Sequence, residues 1–214
     1  MNLAAAIDHT LLRANCTSEE VMQLCEEALQ HKFAAVCVPP YFVKKAVDKL
    51  ASSRVKVTTV IGFPNGYSAT AAKVEEIKRA LNDGADEVDV VINISAVKDD
   101  NWHYVNNDIE STTMAVHLRG KVIKIILEMD MLEKNEIIKL CEICKRVGVN
   151  YVKTSTGSNG AGASVDMIHL LRKNLPEDIK IKASAGIRTA SAATELLQAG
   201  AERLGTSAGV ALVS

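Results

Sequence analysis

Tyr151-Val-Lys-Thr-Ser-Thr-Gly157 is followed, about one strand-helix unit later, by Lys180-Ile-Lys-Ala-Ser-Ala-Gly-Ile-Arg188. Each is a short strand-like run that reaches a lysine, Lys153 or Lys182, and passes at once into small residues and glycine. Chemistry in α/β barrels sits at the C-terminal ends of parallel strands, where such segments turn out of the sheet. Outward from this pair, further apolar runs with the look of buried parallel strands occupy 34–38, 57–62, 87–93, 122–128 and 202–206, beside 151–154 and 179–184. Helical periodicity fills the gaps at 18–29, 41–50, 70–82, 106–118, 134–147, 165–174 and 191–199, with Ser18 as an N-cap and glycine closing several units. With the opening Ile7-Asp8 segment this makes about eight strand-like units.

Eight βα units in 214 residues predict an α/β fold of the (β/α)8 TIM-barrel class, a single domain spanning 1–214. An open doubly wound sheet more often has five or six strands. Gly157-Ser-Asn-Gly-Ala-Gly162 lacks the G-x-G-x-x-G order and the later acidic residue of a dinucleotide loop. The stretch 98–103 has no periodicity and reads as a loop.

A net charge of -1 offers no broad basic field, so neither nucleic acid nor an anionic membrane is an expected partner. The N-terminal stretch lacks a basic leader pattern and no segment approaches a membrane span, which predicts a cytoplasmic protein. Five cysteines are an odd number for a disulfide framework. Cys141 and Cys144 fall on one face of the 134–147 helix and read as buried thiols rather than a metal or redox pair. No H-x-x-H or H-E-x-x-H spacing supports a metal site.

The two lysines end neighbouring strands, and adjacent strands lie about 4.8 Å apart. Two ammonium groups about 5 Å apart at an effective dielectric near 20 repel by about 3 kcal/mol, enough to lower one pKa by about two units and raise the neutral, nucleophilic fraction. A lysine taken singly is more often a solvated strand end. Asp89 sits in the otherwise apolar 87–93 run, where a carboxylate needs a partner or a task. Lys124 lies in the apolar 122–128 run on one face with Ile126 and Glu128, and pairs with Asp89 if that face points inward. Thr156-Gly157, Ala185-Gly-Ile-Arg188 and Gly205-Thr-Ser-Ala-Gly209 follow successive late strands and suit a phosphate. Arg188 either contacts that phosphate or caps its own loop. Asp8 and Thr10, at the first strand end, are candidate supporting residues; His9 between them reads first as a structural hydrogen-bonder.

These segments, with Ile7-Asp-His-Thr-Leu-Leu12, Ala35-Val-Cys-Val38, Val60-Ile-Gly-Phe-Pro64 and Gly84-Ala-Asp-Glu-Val-Asp-Val-Val-Ile-Asn93, make the chain similar over nearly its full length to the deoxyribose-phosphate aldolase family. The resemblance implies a class I aldolase that reversibly cleaves 2-deoxy-D-ribose 5-phosphate to acetaldehyde and D-glyceraldehyde 3-phosphate in deoxyribonucleoside catabolism. It matches Lys153 to the Schiff-base lysine, Lys182 to the lysine that lowers its pKa, and Asp89 to the acid/base aspartate. Gly157, Gly186, Gly205 and Ser207 match phosphate-loop positions. No metal or organic cofactor is implied; the partners implied are a phosphosugar, its aldehydes and a second copy of the chain, since members often form homodimers. Three departures stand out. Ala185-Gly186 replaces the usual Gly-Gly, Ser207-Ala208 replaces a frequent Ser-Ser, and the sequence ends at Ser214 without the tyrosine tail of some members. The first two predict a weaker phosphate affinity or a slightly different loop, and the third leaves any proton transfer assigned to that tail to be done otherwise or less well. Another lysine-imine aldolase or transaldolase, or a non-catalytic sugar-phosphate-binding barrel, are the alternatives to this reading.

Overall fold

A computed structural model of the chain describes residues 2–214. Eight parallel strands pair in chain order and the last pairs with the first, closing a barrel. They are β1 (Ile7–Thr10), β2 (Ala35–Val38), β3 (Lys56–Ile61), β4 (Glu87–Val91), β5 (Val122–Ile126), β6 (Tyr151–Lys153), β7 (Lys180–Ser184) and β8 (Arg203–Thr206). Helices run between and after them: α1 (Ser18–His31), α2 (Val43–Leu50), α3 (Thr70–Asn82), α4 (Ile94–Lys98), α5 (Trp102–His117), α6 (Lys134–Val147), α7 (Val165–Asn174), α8 (Ala190–Gln198) and α9 (Gly209–Val213). The (β/α)8 expectation is met.

The strands owe their burial on both faces to two different chemistries. Outward-facing Val88, Val90, Ile123, Ile125, Val152, Ile181 and Leu204 join the helices in one apolar core. Alternation along each strand then turns the intervening residues into the barrel. Register aligns Asp89 with Lys124, Lys153 with Lys182, and Lys182 with Arg203. The core is therefore a sleeve around a charged lumen. Gly205 faces this lumen: a Cβ there would lie 3.1 Å from Lys182 Cε and 2.9 Å from Ser184 Cβ, so glycine clears the path of the Lys182 stem.

Helix ends are set by local side chains. Thr17, one residue before the expected cap, is the N-cap of α1 and forms a capping box with Glu20. Glu133 and Glu136 do the same for α6, which ends on Gly148 at φ 78. The expected loop at 98–103 is shorter than the sequence suggests: α4 runs through Lys98, Asn101 caps α5 by accepting from Tyr104 N–H, and Trp102 and His103 are helical. Cys141 and Cys144 are buried free thiols of α6. His9 points outward, its ring 2.7 Å from Glu27. Lys73 is fully buried on α3, pairs with Asp108 of α5 at 2.7 Å and donates to the Val91 carbonyl at 2.9 Å, tying two helices to the end of β4. Among the described residues no helix is long and apolar enough to cross a membrane.

Candidate active site

Seven charged side chains from six strands meet inside the barrel. Asp89 on β4 accepts from Lys153 at 2.9 Å and Lys182 at 2.7 Å on one oxygen, and from Lys124 at 2.9 Å on the other. Lys182 also bonds Asp8 on β1. Lys124 reaches Glu87 at 2.6 Å. Arg203 on β8 clamps Asp8 at 2.6 Å and Glu87 at 3.2 and 3.3 Å. The inward face of β5 thus brings Lys124 to Asp89, and Asp8 joins the cluster through Lys182 and Arg203. Arg203 and Glu87 did not emerge from the sequence as site residues. Their signal was there: each lies two positions before an inward residue, Gly205 or Asp89, and repeats the placement of a charge in a buried strand.

Burial and charge oppose each other at each group. Burial alone would raise the carboxyl pKa of Asp89, but Lys124, Lys153 and Lys182 outweigh it and hold the group well below the usual carboxylate range. Asp8 is likewise pulled far down against its burial by Lys182, Arg203 and Lys124. Lys182 and Lys124 lose to desolvation, yet the carboxylates more than compensate, so both are raised and keep their protons. Arg203 is raised in the same way, chiefly by Asp8 and Glu87. Each carboxylate is taken up by cations, and among the described residues no cluster of His, Cys, Asp and Glu has the makings of a metal site.

Above the cluster lies a cavity of about 470 Å³ bounded by the loops after the late strands. This is within the range of small-ligand sites, roughly 300–1,000 Å³. Lys153 lines it, whereas Lys124, Lys182, Asp8 and Asp89 are fully buried below. Gly157, Gly186, Gly205 and Ser207 all border it, as do Thr10 and Arg188. Arg188 is exposed, and its side chain has no hydrogen bond among the described residues, so it does not cap its loop. The backbone N–H groups of Gly157, Gly186 and Ser207 likewise have no partner among the described residues. Those of Ser158 and Ala208 are taken by Thr156 and Thr206 hydroxyls. Ala185, where the family pattern has glycine, adopts a left-handed conformation at φ 70 beside Gly186 at φ 75. The loop keeps the glycine shape with an alanine, at a cost of about 1–2 kcal/mol for the crowded Cβ. Arg13 also lines the cavity and was missed, having no strand or glycine pattern to mark it.

A lysine at the floor of a barrel-top cavity touches a carboxylate shared with two buried lysines. The model of the DeoC/LacD family of aldolases matches residues 2–213. The chain belongs to that family. Deoxyribose-phosphate aldolase of Thermococcus kodakarensis is 47% identical over 213 residues, 99% of this chain and 95% of that one. The enzyme of the same name from Desulfitobacterium hafniense is 46% identical, covering 100% of this chain and 98% of its own length. Among solved structures, the tetrameric deoxyribose phosphate aldolase from Aeropyrum pernix superposes with TM-score 0.91 at 31% identity, covering 99% of this chain and 89% of that chain. Orotidine 5'-phosphate decarboxylase from Pyrococcus horikoshii, at TM-score 0.62 and 17% identity, shares the barrel alone. The resemblance carried by the strand-end motifs is thereby met: this member of the DeoC/LacD family is an aldehyde-lyase of the deoxyribose-phosphate aldolase kind.

Proposed function

We propose that the chain cleaves 2-deoxy-D-ribose 5-phosphate reversibly to acetaldehyde and D-glyceraldehyde 3-phosphate through an imine on Lys153. The observation that carries this is the unequal placement of the lysines: Lys153 alone borders the cavity, while Lys182 and Lys124 are sealed beneath it. Charge counting favours the same assignment. Lys124, Lys153, Lys182 and Arg203 face only Asp8, Glu87 and Asp89, so the cluster is balanced when Lys153 is neutral.

In the cleavage direction neutral Lys153 attacks the C1 aldehyde of the open-chain sugar, and the carbinolamine loses water to give an iminium ion. The C3 hydroxyl gives up its proton, the C2–C3 bond breaks, and its electron pair flows into the iminium to leave an enamine. Glyceraldehyde 3-phosphate departs; protonation at C2 and hydrolysis release acetaldehyde and return the amine. Asp89, through a water, moves protons during carbinolamine formation and cleavage. It is suited to this because loss of charge on Lys153 removes one of the three cations that suppress its proton affinity. Lys182 acts as a fixed cation that disfavours a second charge on Lys153, and Lys124 holds the other oxygen of Asp89. Gly157, Gly186 and Ser207 supply backbone donors to the 5-phosphate, Gly205 shapes the wall beside Lys182, and Arg188 supplies a countercharge at the rim. Asp8 locks Lys182 in place, with Thr10 bonded to its carbonyl at 2.8 Å. The reading places the enzyme in the cytoplasm, in deoxynucleoside breakdown, as a homodimer.

Borohydride reduction in the presence of 2-deoxyribose 5-phosphate, followed by peptide mass mapping, tests the mechanism. A two-carbon or sugar adduct on Lys153, lost in Lys153→Ala, is expected. Trapping elsewhere, or with ketose phosphates alone, would sink the assignment.

A further inference from the structure

Glu128 follows β5 and lies outside the charged cluster, yet it is fully buried and adopts a left-handed backbone at φ 45, ψ 60. A bulky acidic residue in that conformation is strained and persists only when its surroundings hold it. Its carboxylate is spent on the loop after β6. One oxygen accepts from Thr156 N–H at 3.2 Å; the other takes the Thr156 hydroxyl and Asn159 Nδ2 at 3.1 Å. Two residues on, Asp130 accepts from Ser155 at 3.1 Å, and Gly160 packs so closely on Asp130 that a Cβ would lie 2.4 Å from its side chain. The far side of the same loop is tied to β7 through Thr154 and Ser184, whose N–H donates to Thr154 Oγ1 at 3.1 Å.

We infer that Glu128 is a positioning residue that shapes the Thr156–Gly157 turn and thereby confers the preference for a phosphorylated over an unphosphorylated sugar. Glu128 consumes both donors of Thr156, while Thr156 Oγ1 in turn accepts from Ser158 N–H at 3.0 Å. Of the three successive N–H groups at 156, 157 and 158, only that of Gly157 is left for an anion. A buried carboxylate beside a site for a dianion is otherwise unfavourable, so its retention there calls for such a task. Lys153 precedes this loop in a strand held by the β5 and β7 ladders, so loosening the turn leaves the amine in place.

The inference rests on the phosphosugar reading of the cavity, and the test separates the two. Wild type, Glu128→Ala and Glu128→Gln are compared on 2-deoxyribose 5-phosphate and on 2-deoxyribose, with borohydride trapping on the wild type as the control. Glu128→Ala should raise KM for the phosphosugar about tenfold with kcat within about threefold, leaving kcat/KM for the unphosphorylated sugar within about threefold. Glu128→Gln, which keeps the shape and one accepting oxygen, should retain most of the preference, its KM rising about threefold for the phosphosugar alone. Equal losses on both sugars, or an unchanged KM for the phosphosugar, would overturn the role. Should Glu128→Ala not fold, the Gln variant decides alone, an unaltered ratio between the sugars counting against the inference. Absence of any Lys153 adduct in the wild type would instead overturn the imine reading.

Discussion

Lys182 lies fully buried between Asp8 and Asp89, and the two carboxylates overcome the penalty that burial puts on its charge. Its proton is thus held more firmly than that of a free lysine, which suits an electrostatic role. Since Lys153 and Lys182 donate to the same Asp89 oxygen, their nitrogens are no more than about 6 Å apart, worth about 3 kcal/mol of repulsion at an effective dielectric near 20. In Lys182→Leu that repulsion disappears and Asp89 keeps only two of its three lysine partners. The kcat/KM for 2-deoxyribose 5-phosphate should fall at least about tenfold at neutral pH. Steady-state rates of the purified variant check this, and a kcat/KM equal to that of wild type removes Lys182 from the assigned role.

At the scale of elements, the loops after β6 and β7 behave as one packed unit. A Cβ on Gly186 would lie 2.5 Å from the Ala161 carbonyl oxygen, and the residue sits at φ 75 next to Ala185 at φ 70. Gly186→Ala should cost about 2–3 kcal/mol, combining left-handed strain with displacement of the neighbouring loop. Urea unfolding measures the loss, and a variant as stable as wild type would show that the two loops move independently. Such cross-loop contacts were illegible in the sequence, whereas elements governed by local periodicity were plain: α3, α6 and α7 run over 70–82, 134–147 and 165–174, as expected. The start of α5 escaped because Asn101 reads as a loop residue until its side chain is seen to cap Tyr104. The five-residue α9 was too short to show a period and merged with the glycine-rich stretch before it. Lys153, Lys182 and Asp89 stood out as charges in apolar strands. Arg203 carried the same mark, a charge two positions before Gly205, but its partner Asp8, 195 residues away, shows only in the closed ring.

Across the whole molecule, the charge cluster stitches the β8–β1 seam to strands on the opposite side of the barrel. Asp8→Asn leaves buried Lys182 and Arg203 short of a countercharge and should cost about 3–5 kcal/mol at neutral pH. The sign with pH follows from the shifts. Folded Asp8 and Asp89 titrate well below the unfolded value near about 3.9, so the stability they confer is complete above about pH 5. It is lost as pH falls through about 4 toward the folded values, because the unfolded chain then takes up protons that the folded one refuses. Raised Lys182 has the opposite sign: its contribution is present below about 10.4 and is lost only as pH climbs toward its folded value. The gap in unfolding free energy between wild type and Asp8→Asn should accordingly narrow below about pH 4, and a gap constant down to about pH 2 would contradict the linkage. The packing that encloses this cluster also encloses the thiols. Burial pushes Cys25 and Cys37 up to about 11 and Cys141 up to about 12, and drives Cys144 upward as well. Alkylation proceeds through the thiolate, so a maleimide dye meets a single receptive position, partly exposed Cys16, three residues beyond Arg13 at the rim of the cavity. The native chain thus carries one accessible thiol for site-selective labelling, with no cysteine to add or remove.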